Sequence, residues 1–284
     1  EFADANLRWR IIVASPGSNS STDSIEAGSS VFGALCTLAG IGFTICMSFF
    51  IYFYSRKTER AIIVADWRFT CAFMLGCALL NLSMLSLLGA NTDFLCQLRM
   101  WPPHFFFILA LAPLFVKVWR MFQLVGQPGI RRTRISNLQA AIYVLPMVGV
   151  QTAILAAFTI FDPSVPEESI ELVAGEALRS VECRHDSDAF FFVQLVLQAG
   201  MVIVGCLLSY QTRNMREEYS ESKHLIFAMY NIALVGTVIL VVIYVTDMNA
   251  EASRFLHTVG VFWGTTVSTG VFALPRILQI EKKE

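Results

Sequence analysis

Charge is missing from long stretches of this chain and crowded into the short stretches between them. Seven windows free of Asp, Glu, Lys and Arg run over about residues 30–54, 69–91, 100–116, 135–161, 189–211, 224–246 and 255–275. A helix needs about 20 predominantly apolar residues to cross a bilayer, so the pattern predicts seven membrane-spanning helices. Core helices of soluble proteins rarely run this long without a charge. The third window is the shortest, and Lys117 at its end can lengthen it by carrying its ammonium to the interface on an apolar stem. The predicted fold class is an all-α membrane protein, a seven-transmembrane helix bundle.

The stretches between the windows differ in charge. One set holds Arg56, Lys57, Arg60, Arg68, Lys117, Arg120, Arg131, Arg132, Arg134, Arg213, Arg216, Lys223, Arg276, Lys282 and Lys283; the other holds only Arg8, Arg10, Arg99, Arg179, Arg184 and Arg254. Lys and Arg concentrate in cytoplasmic loops, so this distribution predicts an outer N-terminus and a cytoplasmic C-terminus. The charged stretch from Arg213 to Lys223 then becomes the third cytoplasmic loop, between spans five and six.

Composition fits a chain solvated by lipid: of 284 residues, 55% are hydrophobic and 15% charged, against about 25% charged in soluble domains. The net charge of -1 gives no basic field for nucleic acid. The chain opens at Glu1 with no signal peptide, the expectation for a processed chain or a piece of a longer one. Asn19 begins an Asn-Ser-Ser glycosylation sequon, useful only outside the cell. Of seven cysteines, Cys96 and Cys183 fall on the outer side, where an oxidising compartment lets them pair; the alternative is two free thiols. Cys36, Cys46, Cys71, Cys77 and Cys206 lie within spans and read as small packing residues.

The span centres lack the charges that mark pumps, carriers and voltage sensors. His104 and His257 sit nearer the outer ends and read as packed or hydrogen-bonded side chains. A retinal protein needs a Schiff-base Lys in its last span, and 255–275 has none. No metal-ligand cluster, nucleophile motif or phosphate-cradling Gly loop is present in the sequence, so neither a cofactor nor an enzymatic activity is expected. Pro102, Pro103 and Pro113 in span three and Pro146 in span four remove backbone hydrogen bonds and permit kinks. Gly33, Gly40 and Gly42 in span one permit close helix approach.

The third span, "FLCQLRMWPPHFFFILALAPLFVKVWRMFQL", resembles that of class C G-protein-coupled receptors of the GABA-B type. The shared pattern is Cys96, Arg99 and Trp101, then Lys117 and Trp119 at the cytoplasmic end. "QTRN" at Gln211–Asn214 is similar to the family's "ETRN". "SESKHLIFAMYN", with Lys223, Tyr230 and Asn231, is similar to its "NDSKYIGMSVYN". "ALPRIL", with Pro275 and Arg276, resembles its "VPK" ending, with Arg in place of Lys. The Pro102-Pro103 pair departs from the pattern, and the Asp-Arg-Tyr and Asn-Pro-x-x-Tyr signatures of rhodopsin-like receptors are missing.

The resemblance implies residues 1–29 as the linker left by an extracellular ligand-binding domain, 30–279 as the receptor bundle and 280–284 as the start of a cytoplasmic tail. It also implies an ionic lock between Lys117 and Glu221. In the alternative, Lys117 snorkels to the interface and Glu221 pairs with Lys223 or Arg216. Arg131, Arg132, Arg134 and Arg216 are candidate G-protein contacts; the second-loop arginines serve equally as lipid-headgroup contacts. Expected partners are a heterotrimeric G protein, a second class C chain in a homo- or heterodimer, the lipid bilayer, and a small-molecule agonist acting through the missing ectodomain. The expected function is transmission of ligand binding to a G protein. A non-signalling dimer partner or scaffold of the same fold is the alternative, with a transporter or channel third.

Overall fold

The computed structural model describes residues 30–59, 62–63, 67–88, 92–126, 137–173, 176–185, 187, 189–212, 221–245 and 250–281. Seven long helices carry the fold: α1 (Ser30–Ser55), α2 (Trp67–Ser83), α3 (Asp93–Gly126), α4 (Asn137–Phe161), α5 (Ala189–Gln211), α6 (Glu221–Val245) and α7 (Ala250–Glu281). The first six are each long and apolar enough to span a membrane. The helix satisfies every backbone group within one segment, which lipid cannot do for it. α7 is the seventh; Thr258, Thr265, Ser268 and Thr269 lower its hydropathy, and all four are buried against the other helices.

α2 and α3 are the inner helices. Their most apolar windows are 61% and 56% buried, against 17–22% for α1, α4, α5 and α6, whose outer faces are left to lipid. The main core joins Phe53, Met74, Leu111, Leu114, Val118, Leu225, Met229 and Phe272 from α1, α2, α3, α6 and α7. Gly76 sets the α2–α3 distance, since a Cβ there would lie 2.6 Å from the Cα of Ala110. Gly42 does the same for α1, against Asn81 of α2 and Phe262 of α7. Gly33 and Gly40 have nothing within 4 Å, so close approach in α1 rests on Gly42.

Polar side chains bind the helices to one another. Asn81, 1% exposed, donates from Nδ2 to Thr265 Oγ1 at 2.8 Å and to the Cys77 carbonyl at 2.9 Å. In lipid, an amide without a partner is costly, and such bonds hold helices together. The prolines do not interrupt their helices: α3 runs through Pro102, Pro103 and Pro113, α4 through Pro146 and α7 through Pro275.

Between α4 and α5 lies a feature the charge pattern did not reveal. Strands β1 (Val165–Val173) and β2 (Glu176–Arg184) form an antiparallel hairpin, with Val165 opposite Arg184 and Val173 opposite Glu176. A lone hairpin is marginal in water. This one is fastened at its base by the Arg184–Glu167 pair at 3.3 Å and by a disulfide to α3.

Candidate functional site

α3 carries chemistry at both ends. Its 34 residues extend about 51 Å at 1.5 Å per residue, well beyond the apolar core of a bilayer. Arg99 and Lys117 are 18 positions apart (117 − 99), or about 27 Å along the axis. That separation is close to the roughly 30 Å hydrocarbon thickness, so the two cations mark its two boundaries.

At the first boundary Thr92 caps the helix, its Oγ1 accepting from Leu95 N at 3.3 Å. One turn on, Cys96 is bonded to Cys183 of β2, with 5.5 Å between the Cα atoms. Arg99, a further turn along, donates from Nη1 to Cys183 Sγ at 3.2 Å and from Nε to the Ser86 carbonyl at 3.3 Å. Ser86 belongs to the 3₁₀ turn Met84–Leu87 that ends the α2 segment. One guanidinium thus joins the hairpin, α3 and the end of α2. Below it, Trp101 Nε1 donates to Thr159 Oγ1 of α4 at 2.8 Å. His104 bonds Gln198 of α5 at 3.1 Å, and Gln194 Nε2 donates to Gln151 Oε1 at 2.9 Å between α5 and α4.

At the second boundary Lys117 is 6% exposed, with Nζ 5.5 Å from the Phe272 ring of α7. It faces the bundle rather than snorkelling away from it. An aromatic face attracts the ammonium, and Phe272 is itself braced edge-on by Phe73 at 5.5 Å. Trp119, two residues on, packs on the main core and against Phe122 at 5.9 Å. Leu225 of α6 and Val118 of α3 belong to the same core cluster, and Met229 of α6 and Phe115 of α3 both approach Gly205 of α5, so α6 nears α3 two residues before Lys117. Glu221 begins α6 one turn before Leu225; its side chain is outside what is described.

The other motif residues separate into inward and outward groups. Asn231 donates from Nδ2 to Ser268 Oγ at 3.0 Å and to the Gly264 carbonyl at 3.1 Å, bonding α6 to α7. Arg276 is buried in the last turns of α7, with Pro275 half-buried beside it. Tyr230 and Lys223 are exposed on α6. Asn19, Arg131, Arg132, Arg134 and Arg216 lie outside the described residues. The sequence reading missed Ser86, Thr159, Gln151, Gln194, Phe272 and Ser268 as partners. For all but Phe272 the signal available was a polar residue amid an apolar span, which must find a bond.

Residues 25–276 match the family described as the 7 transmembrane sweet-taste receptor of 3 GCPR. The chain belongs to this class C receptor family. Among its relatives, metabotropic glutamate receptor-like protein E of Dictyostelium discoideum is 27% identical over 229 residues, 78% of this chain and 28% of the relative. Gamma-aminobutyric acid type B receptor subunit 2 of Caenorhabditis elegans is 20% identical over 275 residues, 89% of this chain and 32% of the relative. The class C chain therefore spans about a third or less of the length of these curated relatives. Family and fold together make it a multi-pass protein of the plasma membrane.

Proposed function

We propose that this chain is the signal-transmitting bundle of a class C receptor, passing rearrangement of an extracellular ligand-binding portion to a heterotrimeric G protein. The observation that carries the reading is α3. A single helix is tied to the hairpin and α2 at one boundary and holds a buried Lys against α7 at the other. Force applied at the disulfide end reaches Lys117 along one continuous helix, in which Pro102, Pro103 and Pro113 each leave out one backbone hydrogen bond. The disulfide end faces outward in this reading, with residues 1–29 linking to the ligand-binding portion, and the end of the chain's loops richer in Lys and Arg faces the cytoplasm. Arg131, Arg132, Arg134 and Arg216 contribute to that cytoplasmic face. A second class C chain completes the receptor; one relative is by name a receptor subunit.

The resting state is held by a Lys117–Glu221 lock. Two charges about 4 Å apart attract by about 4 kcal/mol at an effective dielectric near 20. Desolvation of a partly buried pair reduces the net to roughly 1–2 kcal/mol, a shift of roughly 5- to 30-fold in a two-state equilibrium. That suffices to set basal activity and is small enough for an agonist to overcome.

The test is basal nucleotide exchange on a panel of G proteins, in membranes, at matched surface expression. Lys117→Glu and Glu221→Lys each raise exchange within that range, and the double swap restores the parent level. Exchange indifferent to all three variants removes the lock and leaves the receptor. Exchange absent from every version, with the extracellular portion and a partner chain supplied, favours the non-signalling scaffold of the same fold.

A further inference from the structure

The turn between α1 and α2 carries a cluster that the signalling reading does not use. α1 ends at Ser55, and the chain turns through Arg56 N to the Tyr52 carbonyl at 3.0 Å, Glu59 N to the Arg56 carbonyl at 2.9 Å and Ile62 N to the Glu59 carbonyl at 3.0 Å. Ile62 is fully buried in the main core, so the turn is plugged into the bundle. On its surface, Lys57 Nζ lies 4.6 Å from the Tyr54 ring centroid and 5.9 Å from that of Trp67. The guanidinium of Arg68 lies 5.3 Å from the same Trp67 ring. Tyr54 and Trp67 meet edge-on at 6.2 Å.

Two exposed cations therefore share one indole. Aromatic faces hold each of them without cancelling its charge, and their mutual repulsion favours an anion beside them. The cluster sits where an apolar helix meets its loop, the depth at which Trp and Tyr line a membrane interface. Ile51 and Tyr54, one turn apart on α1, are 56% and 50% exposed and continue the surface into the apolar belt. A ligand matching this surface has an anionic head for Lys57 and Arg68 and an apolar chain for Ile51.

We propose that Lys57, Arg68, Tyr54 and Trp67 form a binding site for the headgroup of an anionic phospholipid, whose acyl chain lies along α1. The phosphate sits between the two cations, and the aromatic rings fix the cations at headgroup depth. The site stands apart from G-protein coupling and does not depend on it.

The test reconstitutes the full chain in nanodiscs of equal phosphatidylcholine and phosphatidylserine with matched acyl chains. Native mass spectrometry then gives the ratio of the two lipids retained after release into detergent. The parent chain retains phosphatidylserine in excess. Lys57→Gln and Arg68→Gln each reduce that excess about fivefold, the effect of one basic residue near an anionic surface. The double variant shows no preference, while Arg184→Gln, at the opposite end of the bundle, matches the parent. All three positions changed are exposed, and a folded state is verified by unchanged thermal melting. An undiminished preference in the double variant overturns the proposal, as does no preference in the parent. Displacement of phosphatidylserine from the parent by millimolar inorganic phosphate overturns it too, because the site then takes a soluble anion.

Discussion

Single side chains decide how closely the inner helices meet, and Gly76 is the sharpest case. An added Cβ would meet Ala110 backbone, with no flexible side chain to move aside. Gly76→Ala is expected to push α2 from α3 and cost about 1–3 kcal/mol, the usual penalty for overpacking. Gly33→Ala and Gly40→Ala, which open onto space, are expected to leave the protein unchanged. Thermal melting of the three purified variants in one detergent checks this, and equal melting points would show that α2 and α3 yield. The sequence could not separate these glycines, because composition records that a residue is small and not which neighbour approaches it. Lys117 shows the same limit. Read as a residue at the edge of an apolar window, it suits a snorkelling cation; in the structure it is turned inward, with the Phe272 ring 5.5 Å from Nζ. Arg99 and Asn231 were legible as motif residues, while their partners Ser86 and Ser268 belong to distant segments with no pattern of their own.

The seven helices were readable because lipid imposes one rule on all of them, long stretches without charge. Some ends were readable too, 189–211 being α5 itself and 30–54 falling one residue short of α1, while others were not. The window 100–116 falls short of α3, Asp93–Gly126, because charge-counting stops at Arg99 and Lys117, and both cations lie within the helix. The window 69–91 overruns α2, which gives way to a 3₁₀ turn at Met84–Leu87 although the residues remain apolar. The hairpin was hidden for the opposite reason. Glu167, Glu168, Glu171, Glu176 and Glu182 make 165–184 look like a solvated loop, while the pairing follows from tethering both strands at one base. If the tether makes the hairpin, then Cys96→Ser with Cys183→Ser should release it, since a cross-link of this kind contributes about 2–4 kcal/mol. Hydrogen exchange is expected to accelerate across 165–184 and stay slow in the inner helices α2 and α3. Protection unchanged at 165–184 would mean that the strands stand without the bridge.

For the whole molecule, the consequential quantity is its direction across the bilayer. The proposed lock, G-protein face and extracellular portion all require the hairpin outside and the α1–α2 turn inside, the orientation that the charge asymmetry predicts. Two exposed positions test it directly: Arg184 at the hairpin base and Lys57 in the turn. With Arg184→Cys, a membrane-impermeant maleimide is expected to label intact cells, whereas Lys57→Cys is labelled only after permeabilisation. The parent chain supplies the background, because its five free cysteines lie within the helices. The reverse pattern would place Lys117 and Glu221 outside the cell. No G protein could then be reached from that end, however complete the family match, and the disulfide would face the reducing cytosol, where such bonds rarely persist. The disulfide and the basic residues are independent witnesses to direction: one follows from redox chemistry, the other from insertion energetics. Their agreement at opposite ends of α3 is why the labelling is expected to come out in this sense.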